Sequence, residues 1–269
     1  MAQPEAFWRA VWQDFGVIGE GSLDRVLLDG ERMPGARWFP DVRLNFAENL
    51  LAHAGEDDEP ALIFRSEAGD ARRMSWGVLR EDVARTQQAL ARLGAGPGDR
   101  VAAMMPNMPE TIVAMLAAAG LGAVFSSCSP DFGVKGVLDR FGQTEPTILI
   151  GCAAYAYGGK IHDTRPKLAE VAEGLPSLTG VLVVPYKADD ETATDGIPKS
   201  VLWQDALDAE EAETPTFLPL PFSYPLYVLF SSGTTGAPKC IVHSAGGTLL
   251  QHAKEHRLHC WLTANDTLF

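Results

Sequence analysis

The sequence has few cysteines, and they follow no pattern that predicts a covalent framework. Among 269 residues, the four cysteines (Cys128, Cys152, Cys240 and Cys260) form neither a CxxC pair nor a regularly spaced set. No disulfide scaffold is therefore predicted. The first residues show no signal peptide, so we expect a reducing, cytoplasmic compartment.

Positive charge is also scarce. The chain carries 22 Lys and Arg against 35 Asp and Glu, a net charge of −13, and its basic residues are scattered. Nucleic acid and anionic membranes are bound by clustered basic faces, so neither is predicted as a partner. An acidic protein that binds a small anionic substrate needs a local pocket of N–H groups or positive charge, and we expect one here.

No apolar run is long enough to predict a membrane span. The longest uncharged stretch, residues 111–130, is strongly apolar only over 112–125, where Gly120 and Gly122 interrupt it. A spanning helix needs about 20 apolar residues, so this stretch predicts a buried helix followed by a strand. The chain is 46% hydrophobic and 21% charged, which is typical of a soluble globular protein of one large or two smaller domains.

Short apolar segments alternate with helical patterns through the middle of the chain. Strands joined by helices predict an α/β fold, with a parallel-rich sheet flanked by helices on both faces. One of these helices is predicted to start at Asn107 as cap, with Pro109 in its first turn and Glu110 at its third position. The predicted strands are 101–105, 123–125, 147–150 and 181–184, and further helices are 134–141 and 166–173.

Other segments precede and follow this alternation. Before it, the sequence predicts helices at 44–54 and 76–93 and a strand at 61–64. After it, residues 185–225 are rich in acidic residues and proline, which predicts a mostly exposed excursion around a short element at 201–207.

The apolar strand predicted at 226–230 leads into a loop whose composition suits phosphate. The first six loop residues are four hydroxyl residues and two glycines. Glycine permits close backbone approach, so successive N–H groups can face one anion, while hydroxyls add donors and lysine adds positive charge. We predict that the β- and γ-phosphates of ATP are bound by Ser231, Ser232, Gly233, Thr234, Thr235, Gly236 and Lys239.

The spacing of this loop differs from that of a Walker A loop, in which the lysine directly follows the second glycine and leads into a helix. Here Lys239 lies three residues beyond Gly236, and apolar residues 240–242 follow. The loop is therefore predicted to join two strands, with a helix starting only after Ser244 as cap. On composition alone, an ordinary polar hairpin loop remains an open alternative.

Residues 231–239 resemble the phosphate-loop signature of the adenylate-forming superfamily, which includes acyl-CoA synthetases, luciferases and peptide-synthetase adenylation domains. Within it the chain resembles the acetoacetate–CoA ligases, since Cys240 stands where most of the superfamily has glycine. The resemblance covers nearly the whole chain and well under half of such an enzyme. Further similar segments are 37–40, 44–51, 106–111, 126–133, 251–256 and 258–260.

The resemblance implies a fold, a reaction and a division of the chain. Residues 1–55 would form an N-terminal segment that packs on the main domain, and residues 56–269 an incomplete AMP-binding domain. The implied ligase converts acetoacetate, ATP and CoA into acetoacetyl-CoA, AMP and diphosphate through an acyl-adenylate, with Mg²⁺ accompanying ATP. The magnesium-binding glutamate and the catalytic lysine are expected beyond Phe269, so this part alone is expected to be inactive.

Three alternatives remain open. The acid could be acetate or propionate, because most of the acyl pocket is expected beyond the chain. The chain could be an unrelated nucleotide hydrolase, although the loop lacks Walker spacing. It could also be a non-catalytic nucleotide-binding remnant that keeps the fold.

The resemblance gives weaker assignments for CoA. In related ligases, basic residues beyond the third strand help to hold the CoA phosphates, which here points to Lys160 with Phe132 as a neighbour. The family pattern elsewhere uses arginine, so a solvated lysine at a helix start remains the alternative. His243 is predicted either to contact phosphate or to be structural. Asp131 is predicted to cap a helix, with a role in the site as the alternative.

Three histidines near the end of the chain have the spacing of one helical face. His252, His256 and His259 lie at i, i+4 and i+7, close to Cys260. Two histidines four residues apart can bind zinc, yet the motif of a zinc enzyme is missing here. We interpret them as a polar helix face, and no metal site is predicted.

Overall fold

The first part of the chain forms a small helical and stranded segment ahead of the main sheet. The computed structural model describes residues 3–52, 55–187, 190–211, 214–231, 236 and 238–269. The first elements are α1 (Pro4–Asp14), β1 (Glu20–Gly21), β2 (Leu27–Leu28), β3 (Arg37–Trp38), β4 (Val42–Leu44) and α2 (Phe46–Ala52).

The middle of the chain alternates strands and helices, as the sequence predicts. The elements are β5 (Pro60–Arg65), β6 (Ala71–Ser75), α3 (Trp76–Arg92), β7 (Arg100–Met104), α4 (Pro109–Leu121), β8 (Val124–Cys128), α5 (Val134–Phe141), β9 (Ile148–Cys152), β10 (Ala154–Tyr157), β11 (Lys160–Asp163), α6 (Arg165–Glu173) and β12 (Gly180–Val184).

The last part contributes both edges of the main sheet. Its elements are β13 (Ser200–Leu202), α7 (Trp203–Asp208), β14 (Leu220–Pro221), β15 (Pro225–Ser231), β16 (Lys239–Ser244), α8 (Ala245–Lys254) and a π-helical turn at Glu255–His259. The seven-stranded sheet has the order β13-β12-β9-β7-β8-β15-β16. Its pairings are parallel except that between β15 and β16. The predicted parallel-rich α/β sheet is therefore confirmed.

Both faces of the sheet are buried. Along β7, Val101 and Ala103 join one apolar cluster, whereas Ala102 and Met104 join the other. Successive side chains of a strand point to opposite faces, so the two clusters are the cores on the two sides of the sheet. This is why the strands read as continuous apolar runs in the sequence.

The N-terminal segment packs into the first of these cores through aromatic rings. The centroid of the Trp12 ring lies 5.3 Å from that of Phe39, which lies 4.8 Å from that of Phe222, just before β15. Phe39 is fully buried. Burial of three large aromatic side chains fixes the position of this segment, since each removes a large apolar area from water.

Asn45 joins the N-terminal segment to the end of α4. Its Oδ1 accepts from the backbone N–H of Ala47 at 2.9 Å, which caps α2. Its Nδ2 donates to the carbonyl oxygens of Ala119 and Leu218, each at 3.0 Å. Because Asn45 is buried, this one amide satisfies polar groups that water cannot reach.

The start of α4 differs from the prediction. The cap is Met108 in an extended conformation, and Pro109 is the first helical residue, so Asn107 lies outside the helix and its predicted role as cap is wrong. Proline disfavours helical geometry in the residue before it. Met108 therefore cannot be the first helical residue that an Asn107 cap requires, and Glu110 moves one position closer to the cap.

The hairpin β10–β11 was not predicted. Its turn residues, Gly158 and Gly159, have φ of 61° and 73°, and positive φ at both central positions is the geometry for which glycine pairs are favoured. Lys160 is therefore the first residue of a strand, and the alternative that places it at a helix start is wrong. The short element predicted at 201–207 is present as β13 and α7, with Trp203 buried.

Candidate functional site

The predicted phosphate loop is anchored at the carboxyl edge of the parallel sheet. Strand β15 runs parallel to β8 and ends at Ser231, where the last pair of the β15–β16 hairpin joins Ser231 to Lys239. Strands β7, β8 and β9 end at the same edge. Ligands of open α/β sheets bind outside the carboxyl ends of the strands, so the two ends of the loop lie where a substrate is expected.

The structure describes part of this loop. Ser231 is half-buried, and Gly236 and Lys239 are exposed. Ser232, Gly233, Thr234 and Thr235 lie outside the described residues. The prediction that the loop joins two strands is confirmed, because β16 follows it and α8 begins only after Ser244. The structure adds that β16 pairs antiparallel with β15.

Backbone conformation explains the glycine at position 236. Its φ is +153°, and nothing lies within 4 Å of the place where a Cβ would stand. The φ of Gly236 is in the region that L-residues rarely adopt, so the conformation, and not a lack of space, favours glycine there.

A second group of polar residues lies after β8. The Asp131 carboxylate accepts from the Tyr155 hydroxyl of β10 at 2.5 Å and from the Ser129 hydroxyl at 2.7 Å. The Lys167 ammonium of α6 donates to the carbonyl oxygen of Pro130 at 2.5 Å. The Tyr155 bond holds the segment between β8 and α5 against β10, and the Lys167 bond holds it against α6. The cap of α5 is Gly133, so the prediction that Asp131 caps a helix is wrong.

The bond between Asp131 and Tyr155 perturbs both groups. Hydrogen bonds, first from Tyr155 and then from Ser129, lower the pKa of Asp131, because they favour the charged carboxylate. Burial, followed by the hydrogen bond to Asp131, raises the pKa of Tyr155 to about 12. At neutral pH, Asp131 is therefore a carboxylate and Tyr155 a neutral phenol, and the hydrogen bond between them involves no proton transfer.

The two residues assigned to CoA belong to the two segments that this contact joins: Phe132 follows Asp131, and Lys160 lies on the hairpin that carries Tyr155. Phe132 is partly exposed, and the Arg140 guanidinium lies 3.9 Å from the centroid of its ring. Lys160 is exposed at the tip of β10–β11, opposite Tyr157. The contact of Tyr155 with Asp131 brings the segments that carry them to the same edge of the sheet.

His243 lies away from the phosphate loop. Its ring centroid is 5.3 Å from that of Tyr227, its partner on β15. It is four residues from Lys239 along β16, or about 13 Å in an extended strand. This placement favours the structural alternative for His243.

The C-terminal histidines do not share one α-helical face. Helix α8 ends at Lys254, and the π-helical turn that follows changes the spacing that His259 would need. The rings of His252 and His256 stack with centroids 6.0 Å apart. Among the residues that the structure describes, no three His, Cys, Asp or Glu side chains are grouped as metal ligands.

A cavity of about 520 Å³, which no sequence motif predicts, opens at the same edge of the sheet. It lies beneath the β5–β6 hairpin, and its lining includes no described residue of the phosphate loop. Part of its polar wall is paired: Arg72 binds Glu110 at 2.6 Å, and Asp70 accepts from the Tyr186 hydroxyl at 3.0 Å. Nothing in this wall points to a particular ligand.

Comparison with protein families agrees with this geometry. The profile of the AMP-binding enzyme family matches residues 51–269. The chain belongs to the AMP-binding enzyme family. The profile of the acetyl-coenzyme A synthetase N-terminus matches residues 1–50, so the two family profiles together cover residues 1–269.

Relatives of this AMP-binding enzyme carry the names of CoA ligases. The acetoacetyl-coenzyme A synthetase of Rhizobium meliloti (strain 1021) is 55% identical over 264 residues, which are 98% of the chain and 40% of that protein. The acetoacetyl-CoA synthetase of Danio rerio is 45% identical, over 97% of the chain and 40% of that protein. The chain therefore spans about 40% of the length of these relatives.

A solved structure has the same fold. The acetoacetyl-CoA synthetase from Streptomyces lividans superposes with a TM-score of 0.89 at 44% identity, over 99% of the chain and 40% of that protein. The expectation that the chain forms the first part of the N-terminal domain of an adenylate-forming enzyme is confirmed. None of the described helices is both long and apolar enough to cross a bilayer.

Proposed function

We propose that the protein containing this chain is an ATP-dependent acid–CoA ligase whose acid is acetoacetate. The observation that supports this most strongly is a loop of glycines and hydroxyl residues, ended by Lys239, whose two ends are fixed at the carboxyl edge of the sheet of an AMP-binding enzyme. The names of its relatives favour acetoacetate over other acids.

The proposed reaction has two steps. The carboxylate of the acid attacks the α-phosphorus of ATP, the bond to the bridging oxygen breaks, and pyrophosphate leaves with that electron pair. The CoA thiolate then attacks the acyl carbon of the acyl-adenylate, and AMP leaves. Both steps bring anions together, so their transition states need preorganised donors and positive charge.

In this proposal the phosphate loop holds the leaving pyrophosphate. The N–H groups and hydroxyls of 231–236 and the ammonium of Lys239 would neutralise charge that builds on the β-phosphate. Loss of one donor of this kind commonly lowers the rate on the order of 10²-fold. Magnesium enters with ATP as part of the substrate complex, and we place its protein ligand and the catalytic lysine in the part of the enzyme that the relatives have beyond this chain.

The CoA assignment remains a proposal for Lys160 and Phe132. Lys160 is exposed at a hairpin tip, where its ammonium is free to meet a phosphate of CoA, and the partly exposed Phe132 ring offers a face to the adenine. We also retain the division of the chain at residues 55/56 and a reducing compartment, with which four free cysteines are compatible.

Acid-dependent exchange of pyrophosphate into ATP tests the first step. The full-length protein should exchange labelled pyrophosphate with acetoacetate, and more slowly with acetate or propionate. Preference for acetate or propionate would move the substrate assignment to those acids. Absence of exchange with every acid, in protein that still binds nucleotide, would favour the non-catalytic alternative.

A second experiment concerns the chain itself. We expect the 269-residue polypeptide to form no acetoacetyl-CoA, because the proposed catalytic lysine lies elsewhere. Formation of acetoacetyl-CoA by this polypeptide, purified free of host enzyme, would contradict the proposed division of labour.

A further inference from the structure

The end of α5 lies beside the base of the phosphate hairpin. The centroid of the Phe141 ring, which is fully buried at the last residue of α5, lies 6.2 Å from that of Phe230 on β15. Phe230 pairs with Cys240 across the hairpin. Apolar packing therefore places the end of α5 against β15, opposite the first residues of β16.

Gln143, two residues after the end of α5, joins α5 to the hairpin with its amide group. Its Nε2 donates to the carbonyl oxygen of Asp139 at 2.6 Å and to that of Pro238 at 2.9 Å. Its Oε1 accepts from the thiol of Cys240, with 3.6 Å between the oxygen and the sulfur. Because the two carbonyl oxygens can only accept, the orientation of the amide is determined by its partners.

Two of these partners flank Lys239 directly. Lys239 is exposed, and its four-carbon side chain has large rotational freedom. The segment before it contains glycines, which lose much conformational freedom when a chain is ordered. Contacts that hold the residue on each side of Lys239 order this segment before ATP binds, so less conformational entropy is lost on binding.

We propose that Gln143 is a positioning residue for the phosphate loop: by holding Pro238 and Cys240, it keeps Lys239 in place for the triphosphate of ATP. The identity of the ligand, ATP, rests on the proposed function, whereas the contacts of Gln143 are independent of it. Gln143 acts through the loop and touches no reacting atom.

The test uses the full-length protein and a near-isosteric variant, Gln143→Met, which has no amide. Gln251→Met is the matched control, because Gln251 also donates from an exposed amide, to Glu255 at 2.8 Å, but on α8. Cys240→Ser, which keeps a donor, and Cys240→Ala, which removes it, report on the other end of the contact.

The first measurement is amide hydrogen exchange, which needs no activity. Loss of two hydrogen bonds should speed exchange in a peptide covering 238–242 by about five- to thirtyfold in Gln143→Met. Gln251→Met should leave it unchanged, and Cys240→Ala should have a larger effect than Cys240→Ser. Unchanged exchange in Gln143→Met would overturn the proposal.

The second measurement is the kinetics of pyrophosphate exchange. Gln143→Met should raise the KM for ATP within the same range while the KM for the acid stays within about twofold, because only the triphosphate meets this loop. Faster amide exchange with an unchanged KM for ATP would mean that the contact is structural only, which overturns the positioning role. If the parent protein shows no pyrophosphate exchange, the proposed function fails, and amide exchange still decides whether Gln143 holds residues 238–240.

Discussion

Replacement of Asn45 should destabilise the protein more than replacement of any exposed asparagine. In Asn45→Ala, the cap of α2 is lost, at a typical cost of about 1 kcal/mol. The carbonyl oxygens of Ala119 and Leu218 also lose a donor in a buried place, at about 1 kcal/mol each. The sum is roughly 3 kcal/mol, which for a protein of this size lowers the thermal midpoint by roughly 6 °C.

The matched control is Asn107→Ala, at the position that the sequence predicts as a cap. Asn107 is exposed and lies outside α4, so its replacement should change stability by less than about 0.5 kcal/mol. Asn45→Asp sharpens the test, because a carboxylate would face the carbonyl oxygens that now receive the Nδ2 donor. We expect Asn45→Asp to be less stable than Asn45→Ala at neutral pH.

Thermal unfolding of the full-length protein, followed by calorimetry, measures these differences. The thermal midpoint of the transition that unfolds this domain should fall least in Asn107→Ala, more in Asn45→Ala and most in Asn45→Asp. Equal midpoints for Asn45→Ala and Asn107→Ala would refute the argument that the buried amide joins the N-terminal segment to α4.

Three further predictions concern charge and the candidate site. Lys239→Met should lower acid-dependent pyrophosphate exchange on the order of 10²-fold and leave the thermal midpoint unchanged, because Lys239 is exposed. Burial raises the pKa of Asp82 to about 6, above its unfolded value of about 3.9. The native state therefore binds more protons than the unfolded state, and stability falls as pH rises from about 4 to 6. In denaturation measured across this pH range, Asp82→Asn should remove the fall and be more stable at pH 7 by roughly 1 kcal/mol, after allowance for partial exposure. Tyr155→Phe, which loses the bond to Asp131, should raise the KM for CoA in the complete reaction and leave pyrophosphate exchange unchanged; an equal effect on both would contradict the placement of CoA at this segment.

The buried parallel strands could be predicted from the sequence because their pattern has a simple physical origin. Residues 101–104 are apolar without alternation, since each face of β7 meets its own core. Helix α5 was predicted with the bounds that the structure shows, Val134–Phe141, because Gly133 and Gly142 limit it at both ends. In these cases the local pattern and the tertiary environment require the same residues.

Two local errors had signals in the sequence. At α4, the polar side chain of Asn107 predicts a cap at that position. Pro109, however, disfavours helical geometry at Met108, and this restriction places the start of the helix at Pro109. At β10–β11, Gly158 and Gly159 between two short β-prone segments form a recognised hairpin pattern. In both places, backbone geometry determines the structure.

Other features could not be predicted, because they depend on long-range contacts. Gln143 and Pro238 are 95 residues apart, and Asp131 and Tyr155 are 24 apart. Asp131 fits the sequence pattern of a helix cap, and only the fold brings the Tyr155 hydroxyl close enough to donate a hydrogen bond to its carboxylate. Residue type predicts a phosphate loop at 231–239, whereas the contacts of Gln143 with Pro238 and Cys240 depend on the fold.

The hairpin geometry of the phosphate loop also determines where its positive potential can come from. In a Walker loop, the helix that follows places its N-terminus at the phosphates. Here β16 intervenes, and α8 begins six residues after Lys239, or about 20 Å along an extended strand. The field of a helix terminus is largely limited to its first turn, so α8 cannot serve the triphosphate. In the proposed function, neutralisation by this hairpin therefore falls to the loop's own N–H groups, its hydroxyls and Lys239, which is why we expect Lys239→Met to impair the reaction and not the fold.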